Sequence, residues 1–134
     1  MDNPGIYSLG DFPVTSATTL TGGAITELSG ATAVTLFARL AYGSGGSTAI
    51  AVVQTSLDQG TTWIDIARFD FATAGAAKVI NLSGLTPRTS PLVVAPLASE
   101  GANDGILGDQ LRCVVTSTGT YGGSTVVSVR ASVR

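Results

Sequence analysis

Apolar and polar residues alternate with a period of two along most of this chain, and no stretch sustains the 3.6-residue period of an amphipathic helix. In "AVTLFARLAY", residues 33–42, Val34, Leu36, Ala38 and Leu40 share one face, while Thr35, Phe37, Arg39 and Ala41 share the other. The Gly/Ser turn "GSGGS" reverses the chain into a second strand, "TAIAVVQTS". After another turn, "TWIDIARFDF" sets Trp63, Asp65, Ala67 and Phe69 against Ile64, Ile66, Arg68 and Asp70. These three strands read as a meander.

Further along, "AKVINL" at 77–82 is a short strand, and "SGLTPRTSP", broken by Gly84, Pro87 and Pro91, is a long connection. "LVVAPL" reads as an edge strand, because Pro96 has no N–H to give to a ladder. "DQLRCVVTSTG" and "STVVSVRASVR" follow, the latter with Val127, Val129, Ala131 and Val133 on one face and Ser128, Arg130 and Ser132 on the other. About eight such strands separated by turn residues predict an all-β antiparallel β-sandwich, jelly-roll or Ig-like, or a small barrel. Residues 1–13, with Pro4, Gly5, Gly10 and Pro13, read as an extended N-terminal arm on a single sandwich domain of residues 14–134.

Composition agrees with one compact β-domain. The 134 residues suit a single core, which at this size buries about two-thirds of the unfolded surface. Hydrophobic residues make up 44% and charged ones 12%, with 17 glycines to punctuate the strands. So few charges leave a surface of Ser, Thr, Gly and Ala, suited to contact with other protein, copies of itself included. The net charge of -2 comes with no basic cluster and no basic amphipathic segment, which argues against nucleic acid and membrane partners. "MDNPGIYSLGDFP" has neither the positive nor the apolar region of a signal peptide, so the chain reads as made in the cytoplasm.

Chemistry is constrained by what residue types are present. With no histidine and one cysteine, the usual transition-metal ligands and the Ser-His-Asp or Cys-His nucleophile designs fall away. Cys113, within "QLRCVVT", reads as a small core residue in preference to a reactive thiol. "ASEGANDGILGD" supplies Glu100, Asn103, Asp104 and Asp109 as oxygen ligands for calcium, but without EF-hand spacing, so a solvated acidic loop is the favoured reading. Paired carboxylates for glycosidase chemistry would come from Asp65, Asp70, Glu100 and Asp104, and the sequence sets no two of them at the required separation. No enzyme activity, cofactor or metal is expected.

One motif stands out. "SLDQGTTW" places Ser56, Asp58, Gly60, Thr62 and Trp63 at Asp-box spacing, a pattern shared by sialidases and other β-propellers. Turn physics accounts for all five: Asp58 accepts backbone N–H groups, Gly60 takes positive φ, the hydroxyls close remaining bonds and Trp63 packs beside the turn. A propeller needs several copies, at about 40 residues per blade, and this chain has one. The favoured role is a structural turn; the alternative is a glycan contact, with Trp63 and Tyr121 as a sugar-stacking pair.

"VVQTSLDQGTTWIDIARFDFATAGAAKVINLSGL" and "DGILGDQLRCVVTSTGTYGGSTVVSVRASV" together resemble the small β-rich virion proteins of tailed bacteriophages, over residues 50–134. The resemblance rests on the order "SLDQGTTW", "GDQLR", "TSTGTYGG". It implies a structural protein without catalytic residues: a capsid decoration or cement protein bound to the major capsid protein as an oligomer, a trimer by preference, or else a neck or tail component. The arm residues Ile6, Tyr7, Phe12 and Pro13, which have no evident strand of their own, are then the expected subunit contacts. A glycan-binding sandwich module is the reading from a different class.

Overall fold

The computed structural model describes residues 4–134. Its strands are β1 (Gly5–Pro13), β2 (Thr18–Thr21), β3 (Ala33–Ala41), β4 (Ser44–Gly45), β5 (Thr48–Ser56), β6 (Ile64–Phe71), β7 (Ala76–Ser83), β8 (Gln110–Thr118), β9 (Tyr121–Gly122) and β10 (Val126–Val133). One sheet orders β1-β10-β3-β7, the other β2-β8-β5-β6, and β4 pairs with β9 in a short ribbon. All pairings are antiparallel. Apart from the β5–β6 hairpin, every connection between consecutive sandwich strands crosses from one sheet to the other. That wrapping makes the fold an all-β jelly roll, and it separates this chain from Ig-like sandwiches and from barrels.

The alternating residues meet between the sheets. Val34, Leu36, Ala38 and Leu40 of β3 and Val127, Val129, Ala131 and Val133 of β10 are buried from one side. Ala49, Ala51 and Val53 of β5 and Leu111, Cys113 and Val115 of β8 close on them from the other. Small residues at the centre of both layers leave room for the Phe12, Phe69 and Phe71 rings at the edges. Each fully buried Leu or Val contributes roughly 1.5–3 kcal/mol.

Four strand expectations are corrected. β3 does not form a meander with β5 and β6: it lies between β10 and β7 in the opposite sheet, because the Gly/Ser segment carries the chain across through β4. In β6 a bulge at Ile66, opposite the Val53–Gln54 step of β5, breaks the period of two, so neighbouring Ile66 and Ala67 are both buried. "LVVAPL" is not a strand: among the described residues, positions 91–98 join no strand ladder, and only Leu97 and Ala98 at their end use backbone groups in hydrogen bonds.

The expected N-terminal arm is part of the sandwich. Residues 5–13 are an edge strand, β1, paired with β10 from Gly5↔Val133 to Pro13↔Val126. A bulge between Ser8 and Gly10 lets a strand containing two glycines follow the sheet, and it hides this segment's strand character from simple alternation. The sandwich therefore includes residues placed outside it by the sequence reading, while residues 1–3 of the expected arm lie outside the described residues.

Candidate functional site

The Asp-box segment links β5 to β6 as a closed hydrogen-bonded turn. Ser56 Oγ donates to Asp58 Oδ1 at 3.0 Å and accepts the Gly60 N–H at 2.8 Å. Asp58 Oδ1 also accepts the Thr62 N–H at 2.7 Å. Gln59 and Gly60 both take positive φ, 59° and 89°, as the tight reversal requires. The Thr62 backbone N–H, helped by the Thr62 and Ser56 hydroxyls, holds the Asp58 carboxyl below its ordinary value. Ser56 is buried, so its hydroxyl works on the turn and not on solvent.

Trp63 leaves this turn half-buried, with the Arg112 guanidinium 4.2 Å from its ring centroid. Arg112 Nε donates to Gln54 Oε1 at 2.8 Å, and Gln54 Nε2 donates to Asp65 Oδ1 at 2.8 Å. A polar row thus crosses β8, β5 and β6 on the outer face of their sheet. Tyr121, the other expected stacking ring, is buried, donates to the Ala72 carbonyl at 2.8 Å and packs edge-on to Tyr42. The structure does not bring Trp63 and Tyr121 together as an exposed sugar platform.

The carboxylates of the β6 and 100–109 segments fasten the long β7–β8 connection to the sandwich. Asp65 accepts the Leu97 N–H at 3.3 Å, and its backbone carbonyl accepts Asn103 Nδ2 at 2.8 Å. Asp70 receives Arg68 at 2.8 Å and the Ser99 hydroxyl at 2.8 Å; burial pushes its carboxyl up, and these two partners outweigh that and hold it low. Lys78 bridges the Asp70 carbonyl and the Glu100 carboxylate. Asp104 accepts the Ser83 N–H at 2.7 Å and the Thr86 hydroxyl at 3.0 Å, and the Ser83 amide lowers its carboxyl.

These bonds lay residues 101–103 along the free edge of β6. The Arg68 N–H donates to the Gly101 carbonyl at 3.0 Å and the Asn103 N–H to the Ile66 carbonyl at 2.9 Å, so an exposed sheet edge is covered. Among the described residues no group of three or more His, Cys, Asp or Glu side chains gathers as a metal set. Asp109 contributes its backbone carbonyl to the Leu28 N–H at 2.9 Å.

The proposed subunit contacts separate into different environments. Phe12 is buried in the core and cannot reach a neighbouring chain. Tyr7 is half-buried against that core, whereas Ile6, 77% exposed, and Pro13 face solvent. The outer face of the β1-β10-β3-β7 sheet carries Ile6, Phe37 and Val79 among Ser and Thr side chains, and Asp11 there pairs with Arg130 at 2.9 Å. Ser128 and Arg130 together lower the Asp11 carboxyl.

Sequence reasoning missed a second apolar surface. A shallow groove of about 530 Å³ runs between the Asp-box turn and the unpaired 88–94 segment, lined by Leu57, Ile64, Pro91, Leu92, Val94 and Ile106, with Arg88 at its rim. Leu57 occupies a position that the Asp-box pattern leaves free, and it is 65% exposed. An apolar residue at a loop tip between Ser56 and Asp58 was the available signal. No protein-family model matches the chain, and no curated protein matches it either.

Proposed function

We propose that this protein is a structural component of a tailed-bacteriophage virion, acting as a capsid decoration or cement protein assembled from copies of itself. The observation that carries the reading is how the polar groups are employed. Asp65, Asp70 and Asp104, three of the candidate catalytic or ligating residues, each hold a loop in place, and Asp58 holds the Asp-box turn. The weakly charged surface also carries apolar side chains: Ile6, Leu57, Val79, Val93 and Val94 are all more than half exposed. A protein with that surface works by burying it against other protein.

The resemblance of residues 50–134 to small virion proteins supports the same reading. The jelly roll alone does not, since capsid and lectin domains share it. The mechanism is mechanical. Each copy spans a joint between shell subunits, so separating the joint also exposes the apolar area that the copy covers. Particles stripped of this protein should lose their genome at a lower temperature than complete particles, and adding the purified protein back should restore the difference. Identical disruption temperatures would contradict the cementing role.

A further inference from the structure

We infer that a second copy of this chain pairs edge to edge with residues 92–95, as an added antiparallel strand. The inference rests on the oligomeric half of the reading above and not on the virion half. Two independent observations meet on this segment. Its side chains are apolar and exposed, Val93 by 81% and Val94 by 51%. Its backbone is also unused: among the described residues, no hydrogen bond of the chain employs an N–H or C=O between Arg88 and Pro96.

That combination leaves the segment open to an added strand. "LVVA" is β-branched and apolar, the composition of a paired strand, and main-chain groups left open beside it are the template for strand addition. Leu92 and Val94 line the groove beside Leu57 and Ile106, while Val93 is exposed outside that lining, so the segment already has the two-sided order of a strand. Pro91 and Pro96 bracket the run and limit pairing to the residues between them.

The lack of charge suits a second copy of the same segment. From Thr86 to Ser99 the only charged side chain is Arg88, so the segment offers no field for a strongly charged partner. Two copies meeting antiparallel place their Arg88 side chains at opposite ends of the paired segment, where they do not repel. Such a contact is self-complementary and closes with two-fold symmetry, unlike the trimer that the resemblance implies. Four paired residues span only about 13 Å. The exposed Leu57 of each copy must therefore enter the contact if it is to approach the roughly 1,000 Å² of a specific interface.

The test is the oligomeric state of the purified full chain across a dilution series, by light scattering on a sizing column, beside Val93→Glu. A dimer that dissociates on dilution, with Val93→Glu monomeric and unchanged in circular dichroism, is the expected result. A wild-type monomer at every concentration overturns the inference and leaves the virion reading to be judged by particle composition. A Val93→Glu dimer overturns this surface as the contact. If that variant does not fold, amide exchange of the wild type at 92–95 decides: these amides have no acceptor among the described residues, so slow exchange at high concentration and fast exchange on dilution supports pairing, and fast exchange at both overturns it.

Discussion

Glycine positions show how narrowly the Asp-box turn is fitted. A Cβ on Gly108 would lie 1.7 Å from the Ser56 carbonyl, and the Gly108 N–H donates to the Thr55 hydroxyl at 2.8 Å, so the backbone must move to admit a methyl group. Gly108→Ala should cost about 3 kcal/mol in urea unfolding. At Gly60 the nearest atom is the tip of Gln110 at 3.2 Å, and only the dihedral resists, so Gly60→Ala should cost about 1 kcal/mol. Equal costs would mean that the close approach at Ser56 is not what fixes the turn.

Cys113 is buried, and burial pushes its thiol up to about 12. In the unfolded chain the thiol ionises near 8.5. Its contribution to stability is therefore complete below about pH 8.5 and is lost as pH rises toward about 12. Relative to Cys113→Ala, the wild type should lose stability between about pH 9 and about pH 11, and parallel pH profiles would contradict that burial.

Among the elements, the β7–β8 connection is held by carboxylates and the sandwich by apolar contacts. Asp70 and Asp104 sit below their ordinary values, so the stability they lend is present above an unfolded value of about 3.9 and lost as pH falls through their lower folded values. Below about pH 4, the Arg68 and Asn103 amides, bonded to Gly101 and Ile66, should lose exchange protection before the β3 and β10 amides do. Simultaneous loss would show that the loop does not open separately. β1 gives the opposite expectation from an arm. Deleting residues 1–13 removes Leu9 and Phe12 from the core and bares β10, so the truncated protein should fail to give a cooperative melt, whereas an arm would leave the melt intact.

Legibility in the sequence followed physical locality. β3, β5, β8 and β10 were readable because each alternates between a buried face and a more exposed one, β5 as far as Thr55. β1 and the inner phase of β6 were not, because bulges shift the alternation, and a bulge depends on the partner strand. "LVVAPL" has the β-branched apolar run of a strand, yet among the described residues no strand pairs with it. The Asp-box bonds were legible down to Ser56 and Asp58, whereas the reach of Arg112 to Trp63 and of Asp104 to Ser83 required the folded arrangement.

At the scale of the whole molecule, a jelly roll with its carboxylates committed to loops presents two apolar surfaces: the β1-β10-β3-β7 face around Ile6, Phe37 and Val79, and the groove beside Val93 and Val94. Two surfaces suit a protein that meets both its own copies and a larger assembly. Changing Val79 to Glu, on the sheet face, should weaken attachment to particles and leave the copy-to-copy contact intact; loss of self-association in that variant would place both contacts on one surface.

Counting copies per particle tests the decoration role. Virus-like particles would be purified by density gradient from the source culture, and this protein quantified in them by mass spectrometry against the major shell protein. A decoration protein is expected at shell-wide stoichiometry, hundreds of copies per particle. A ring-like count of about six or twelve would contradict decoration and assign the protein to the neck or tail, and absence from the particles would contradict the virion reading altogether.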